Sequence, residues 1–528
     1  MKQDTVLRSA AFSVVACAVL VATSALPALA APSLTMPVNY PVGQQPWSVV
    51  VALLDGDSYL DLAVANRGDD SVTVLYGDGN GGFGGAVQHD VGSDPWSVAA
   101  ADFDDDGYMD LAVANHGDGT VSILPGGAGG FGSAVPHPLD AESKPVALVA
   151  VDFDGDGAPD LAVADTDGDH IAILLGVGDG SFADPLYYGV SAYPVWLATG
   201  DFDGDGDLDL GVACTNDNVV SILVGVGDGT FAAKVDYAVG DSPVAVATGD
   251  FDGDLNLDLA VANVEGDSVS ILLGTGGGAF TEGATIDMDT GASPAGVVVG
   301  EFDGDGVLDL AVANHGSESV SILAGDGEGG FELIGDFEVG RNPISLGTGD
   351  FDGDGRSDVV VVNSGADSIS VMLSRELDEL TIQLSAGWNM VSVPLTLPDM
   401  SVGAVFPTAA AVYTWDPVQK SYIAPVTIDP RRGYWVAVVG PTSLKLRGTG
   451  QSAWEPALDI FAGWNMIGSV YGAPVDFSDP DDAPDGSVLS LLYRWDPNNK
   501  SYVNAGAIDA GQGYWSAAVS NCTLAVGP

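Results

Sequence analysis

The sequence predicts an all-β chain: a seven-bladed β-propeller closed by an N-terminal strand, followed by two small β-rich modules. Three observations lead there. One nine-residue phrase, Asp-x-Asp-x-Asp-Gly-x-x-Asp, recurs seven times, its last aspartates standing at 61, 110, 160, 209, 258, 309 and 358 in steps of 49 to 51 residues. A fixed period of that length marks a repeat architecture, and seven copies set the number of units. Each period holds four short β-type runs separated by polar or glycine-rich turns, without helical periodicity, which is the measure of a propeller blade. The array is also out of phase at its ends by one strand.

The first thirty residues stand apart from the fold. Lys2 and Arg8 precede an apolar run from Ala10 to Leu26, and Ala28-Leu29-Ala30 places small residues before Ala31. This is the pattern of a cleaved secretory signal peptide over 1–30. Val14-Val15-Ala16-Cys17 offers a rival reading, a bacterial lipobox with Cys17 as lipid anchor, although the apolar run continues past that cysteine. No other stretch reaches the ~18 apolar residues of a membrane span. A secreted or cell-surface protein is expected.

The propeller is expected over 31–374. Its closing strand comes first: Leu34 to Gly43 ends in Val-Asn-Tyr-Pro-Val-Gly43, which matches the fourth-strand ending Val235-Asp-Tyr-Ala-Val-Gly240. The seventh copy, from Pro343, stops after its third strand at Met372-Leu373-Ser374. The missing outer strand of the last blade is thus expected from residues 34–43, paired with Ser368 to Leu373.

The fifth repeat shows the grammar of a blade. Pro243 to Thr248 is a β run, the aspartate loop spans Asp250 to Asp258, and Leu259-Ala-Val-Ala262 is an apolar second strand of the kind buried on both faces. Asn263 to Asp267 is a polar turn, Ser268 to Leu273 a third strand, Gly274 to Gly278 a tight turn, and Phe280 to Met288 a more polar outer strand.

The loops point to a hard cation. Carboxylates at positions 1, 3 and 5, a glycine at 6 for the sharp turn, a carbonyl at 7 and an acid at 9 form an oxygen shell suited to Ca²⁺. The expected ligands are Asp102, Asp104, Asp106 and Asp110 in loop 2 and Asp152, Asp154, Asp156 and Asp160 in loop 3. Loop 4 offers Asp201, Asp203, Asp205 and Asp209, and loop 5 Asp250, Asp252, Asp254 and Asp258. Loop 6 offers Glu301, Asp303, Asp305 and Asp309, and loop 7 Asp350, Asp352, Asp354 and Asp358. Loop 1 keeps Asp55, Asp57 and Asp61 but has Leu53 at position 1 and Ser58 for the glycine, so it is expected to bind weakly; Leu255 replaces the glycine of loop 5. Aspartate also favours turns, but turns alone do not need carboxylates at these fixed offsets in every copy. Six to seven structural calcium ions are expected, each stitching two strands of its blade.

The phrases Gly249-Asp-Phe-Asp-Gly-Asp, Asp258-Leu-Ala-Val-Ala-Asn263 and Gly227-Asp-Gly-Thr-Phe231 resemble the FG-GAP/VCBS repeats of secreted microbial proteins, a unit that also builds the propeller of integrin α chains. The resemblance spans about residues 33 to 374. It implies a propeller whose calcium loops join strands 1 and 2 and share one face.

After Arg375 to Glu379, read as a linker, the period changes. Ala386-Gly-Trp388-Asn-Met390 returns at Ala462-Gly-Trp464-Asn-Met466, and Gly433-Tyr-Trp435 returns at Gly513-Tyr-Trp515. Two homologous β-rich modules are expected, over 380–450 and 456–528. They resemble a module repeated near the C-termini of secreted microbial surface proteins. Their repeated tryptophans read as module cores before they read as sugar platforms. Cys214 lies in an apolar strand and Cys522 near the far end, so no disulfide between them is expected.

The chain carries 74 acidic against 15 basic residues, a formal net charge of −59. That argues against nucleic acid and anionic membranes as partners, and a soluble monomer without membrane insertion is expected. The five histidines lie outside any nucleophile or metal motif, and the acidic clusters belong to the loops. The chain is therefore expected not to be an enzyme, with a calcium-dependent polysaccharide lyase as the exception to test. The leading expectation is extracellular binding or adhesion toward a glycan or protein, beside a purely structural surface-layer or matrix role. A candidate ligand site lies opposite the calcium loops, where the blades stop being identical. Trp47 and Trp96 follow the inter-blade proline in blades 1 and 2, Arg67 and His116 occupy the neighbouring turns, and Arg341 and Asn342 sit in the last inter-blade connection. Blades 7, 1 and 2 are contiguous in a ring, so these six are candidates for one rim of its opening; the plainer reading has the tryptophans filling space between inner strands.

Overall fold

A computed structural model describes residues 34–374, apart from 141, and parts of the segment 378–525. The expected leader over 1–30, with Cys17, lies outside the described residues. Seven four-stranded antiparallel sheets follow one another, each in simple up-and-down order. In blade 5 the strands are Pro243–Gly249, Asp258–Asn263, Ser268–Gly274 and Phe280–Asp287, within a residue or so of the sequence reading. First strands of successive blades pack side by side, and Pro46–Ala52 of blade 1 packs against Pro343–Gly349 of blade 7, so the ring is closed.

The closing strand is the one expected. Val38–Pro41 pairs antiparallel with Ser368–Met372, in the register Val38 to Val371 and Pro41 to Ser368. An isolated bridge joins Leu34 to Ser374, and Asn39 accepts a 2.7 Å hydrogen bond from the Ser370 hydroxyl. The seventh sheet is therefore built from both ends of the repeat array.

Second strands such as Asp-Leu-Ala-Val-Ala-Asn are buried at every residue in all seven blades. This explains their unbroken small apolar character: they lie between two flanking strands and two neighbouring blades. Outer strands are largely exposed and in most blades only four residues long, which limits the free edge they present. The core lies between blades. Leu62, Val64 and Leu75 of blade 1 cluster with Phe351, Val360, Val362 and Ile369 of blade 7, so burial continues across the closure. Each first strand starts at a proline and carries a register irregularity just after it, a place where a missing N–H does little harm.

Beyond the ring, strands Gly387–Val391, Tyr434–Val438, Ala409–Asp416 and Ser421–Ile423 form one four-stranded sheet. Gly463–Gly468, Gly513–Ala518, Val488–Asp496 and Ser501–Asn504 form another in the same order. Of the expected linker 375–379, residues 375–377 lie outside what is described, while Asp378 and Glu379 open the strand Asp378–Leu384, which pairs with Thr442–Gly450; the packing of Trp388, Trp435, Trp464 and Trp515 also lies outside it. Among the described residues, Cys214 is buried and free, and no helix is long and apolar enough to cross a membrane.

Candidate metal centres

Each aspartate loop links the first strand of a blade to the second, and its position-9 aspartate is the first residue of the second strand. That side chain is buried and held from two sides. In blade 2, Asp110 accepts from the Phe103 amide at 2.9 Å and from the Gly126 amide at 2.5 Å. The same pair recurs in every blade, through to Asp358 with the amides of Phe351 at 2.8 Å and Ser374 at 2.7 Å. Since Gly126 and its equivalents open the hairpin between strands 3 and 4, loops and hairpins share one face.

Position 1 organises the loop itself. Asp152 accepts from the amides of Gly155 at 2.7 Å and Gly157 at 2.9 Å, and Asp201, Asp250 and Asp350 repeat the pattern. Asp102 accepts from the amides of Asp106 and Gly107, and Glu301 from that of Gly304. These bonds leave further lone pairs free on each carboxylate. The oxygens converge: Asp102, Asp104 and Asp110, and the matching trios at 152, 154, 160 and 201, 203, 209, each bring ligand atoms within 4.8 Å of one another. So do Glu301, Asp303 and Asp309, and Asp250, Asp252 and Asp254.

Position 5 also serves the loop backbone: Asp254 is in the converging trio of loop 5 and caps the Asn256 amide at 2.8 Å. Asp106, Asp156, Asp205 and Asp305 are not in those trios; each caps the amide of position 7, as Asp106 does for Tyr108 at 2.9 Å and Asp305 for Val307 at 2.7 Å. Asp354 caps Arg356 in the same way. Asx turns of this kind satisfy the carboxylate locally.

A hard divalent cation fits this set. The donors are all carboxylate oxygens, and Asp104 Oδ1 and Asp303 Oδ2 are buried without a hydrogen-bond partner, an arrangement that is costly unless something positive faces it. Without a cation the inner acids resist ionisation. Burial pushes Asp160 and Asp209 up to about 6, and Asp309 and Asp358 up to about 7, against two backbone N–H bonds each and with repulsion from positions 1 and 3 or 3 and 5. Asp303 is raised to about 6 by burial and by Asp305.

Loops 1 and 5 depart from the rule. In loop 1 Leu53, 43% exposed, stands where the other loops place the position-1 carboxylate, while Asp55, Asp57 and Asp61 cap Asp57, Tyr59, Leu54 and Gly77 as their equivalents do. In loop 5 Leu255 is 91% exposed and takes φ +74 at the position where loops 2, 3, 4, 6 and 7 place glycine. A side chain in that region costs roughly 1–2 kcal/mol. Leu255→Gly should therefore raise stability by about 1 kcal/mol, read as a higher midpoint in urea at saturating calcium.

The loops also join neighbouring blades, which the sequence reading missed. The position-2 phenylalanine of one blade meets, edge to face, the hairpin phenylalanine of the next: Phe103 with Phe182, Phe153 with Phe231, Phe202 with Phe280, Phe251 with Phe331 and Phe351 with Phe83, at 5.3 to 5.5 Å between centroids. A hairpin glycine amide of the next blade donates to the carbonyl of that same position-2 residue, as Gly180 does to Phe103 at 2.9 Å and Gly81 to Phe351 at 2.9 Å. At the closure Leu34 packs with Phe302 in this role. A cation that orders a loop thus steadies the seam between two blades as well as the two strands it connects. The recurring Gly-x-Phe phrase was the available signal.

Four of the six rim residues come together on the opposite face. The Arg67 guanidinium lies 4.3 Å from the Trp47 ring centroid and 4.0 Å from that of Trp96, and the two rings are 4.8 Å apart. Asp94, which the sequence reading did not single out, ties them together. It accepts from Arg67 Nε at 2.8 Å and Trp96 Nε1 at 3.1 Å and lies 3.1 Å from His116 Nδ1, while His116 stacks on Trp96. Burial alone would raise the Asp94 pKa, but the bonds from Arg67 and Trp96 outweigh it and hold the carboxyl below its ordinary range. Arg341 and Asn342 are exposed in the blade 6–7 connection, where their carbonyls accept from Gly365 and Ser364; no hydrogen bond links them to the other four.

No curated protein matches the chain. Among solved structures it is similar to a streptogramin B lyase at 14% identity, covering 65% of this chain and 98% of that one, with a TM-score of 0.47. It is similar to BBS1N from a complex with ARL6DN at 15% identity, with the same coverages and a TM-score of 0.49. It is also similar to a virginiamycin B lyase from Staphylococcus aureus at 14% identity, covering 64% and 98%, with a TM-score of 0.46. Likenesses this distant say nothing of what the chain does. The FG-GAP-like repeat model matches residues 54–113, 102–163, 152–212, 251–312 and 302–361, windows that together span just over half of the sequence. The chain belongs to the FG-GAP-like repeat family.

Proposed function

We propose that this protein is a secreted, calcium-stabilised propeller that serves as a structural component of a cell surface or extracellular matrix. The commitment of its acids is the observation that supports this most. The loop carboxylates are engaged with backbone amides and converge closely enough to hold a cation, and the asymmetric aromatic cluster satisfies its own charges through Asp94. Calcium suits these loops better than magnesium, because an all-oxygen, solvent-facing loop tolerates its larger and more variable shell. Six ions are assigned to loops 2–7, with loop 1 weak or empty. The leader pattern and the net charge of −59 favour a salty or calcium-rich exterior.

Adhesion toward a glycan or protein is the second reading. It is favoured by the exposed Arg341 and Asn342 and the half-buried Trp47 and Trp96 on the asymmetric face. Glycan and matrix-protein arrays, probed with the purified chain in calcium and in EGTA, separate the two. The structural role predicts no saturable ligand in either condition. Saturable binding that disappears in Trp96→Ala, with the fold intact, would replace it with adhesion.

A further inference from the structure

The seven seams between blades are not equivalent, and their differences are paired across the two faces. On the loop face, the seam between blades 1 and 2 lacks what most others have. Position 1 of its loop is Leu53 and position 2 is Leu54 instead of phenylalanine. The facing hairpin, Gly126 to Phe131, is one residue shorter than Gly77 to Phe83. Among the described residues no hairpin amide reaches the Leu54 carbonyl, whereas Gly180, Gly229, Gly278, Gly329 and Gly81 each make that bond at their own seams. Phe131 still packs on the cluster around Leu54, but the cation-ordered part of the contact is missing.

The opposite face of this same seam carries the Arg67 network. Arg67 belongs to the turn between strands 2 and 3 of blade 1, whereas Asp94, Trp96 and His116 belong to blade 2. The Arg67–Asp94 ion pair therefore joins two blades. The other ion pairs between described residues, His116–Asp94, His170–Asp165 and Lys234–Asp236, each stay within one blade. Trp47 of blade 1 stacks on Trp96 of blade 2, with the guanidinium over both rings. Cation–π contacts and a half-buried bidentate ion pair do not need a bound metal.

We propose that the Trp47–Arg67–Trp96–Asp94 network is a metal-independent clasp that holds the blade 1–2 seam in place of the cation loop degraded there. It assigns these residues a closing role instead of ligand capture, and it makes the hold on this seam independent of calcium.

Hydrogen exchange on the full chain tests it. In Arg67→Ala, opening of the connection 91–97 should rise roughly 10-fold, the combined size of the two weak cation–π contacts and one half-buried ion pair. The rise should appear in calcium and in EGTA alike, with the other inter-blade connections unchanged. Adding Leu53→Asp with Ser58→Gly rebuilds loop 1; in calcium this should return the Arg67→Ala seam toward the parent rate, and EGTA should abolish the rescue. Arg67→Lys, which keeps the charge but not the planar fork, is the milder variant if the alanine protein folds poorly, and it should show the same local rise. An unchanged rate at 91–97, a rise spread evenly over all connections, or a rise seen only in EGTA would each overturn the proposal.

Discussion

Chelation should lower the melting temperature of the propeller by on the order of 20 °C at neutral pH. Each cation that binds only the folded ring stabilises it by about 2.7 kcal/mol at a free concentration a hundred times its dissociation constant. Six such sites, set against an unfolding entropy of roughly 2.1 cal/mol/K per residue over the ring, give a shift of that size. The pH dependence should change sign with the metal. Without cations, Asp160, Asp209 and Asp303 titrate at about 6 and Asp309 and Asp358 at about 7 in the folded chain, against an ordinary 3.8. Between those values the folded ring holds protons that the unfolded chain has released, so stability falls as pH rises from about 4 to 7. The EGTA-treated protein should therefore melt higher at pH 5 than at pH 7.5. In calcium the order should reverse, because ions and protons compete for the same carboxylates. Calorimetry at the two pH values, with and without calcium, reads all four numbers.

Deleting Leu34 to Gly43 should cost the ring at least ~5 kcal/mol and do so cooperatively. The deletion removes buried Leu34 from the cluster around Phe302, and Tyr40 and Val42 from the cluster shared by blades 1 and 7. It also strips the ladder from Val38–Pro41 to Ser368–Met372. A buried leucine alone accounts for ~2–5 kcal/mol, and the unpaired strand adds to it. One earlier transition for the whole propeller is expected. A truncated protein that melts like the parent would mean that the N-terminal strand does not close the ring.

The architecture was legible because propeller blades repeat, and repetition turns a three-dimensional arrangement into a linear period. The closing strand was legible for the same reason: residues 34–43 read as the end of a blade with no blade before them. Loop chemistry showed in the alternation of aspartates, but the division of labour among them did not. Asp106 and its equivalents also cap the position-7 amide, a contact made by local backbone geometry that the one-letter pattern does not encode. The Phe103–Phe182 type of contact was hidden because it joins residues about 80 positions apart, in phrases that each looked like a complete motif within its own blade. The rim cluster was half seen. Trp47, Arg67, Trp96 and His116 stand out as departures from the repeat, which the sequence alone reads either as a ligand rim or as filling between inner strands. Asp94, which accounts for the cluster, looked like one more turn aspartate among many.

Loops 2–7 should be cation sites that hold the ring, and loop 1 should not. An anomalous-scattering map from crystals grown in calcium tests it most directly. Peaks within coordination distance of Asp102, Asp152, Asp201, Asp250, Glu301 and Asp350, with none at Asp55, Asp57 and Asp61, are the predicted result. A map without peaks in those six loops, or with a fully occupied ion in loop 1, would contradict it.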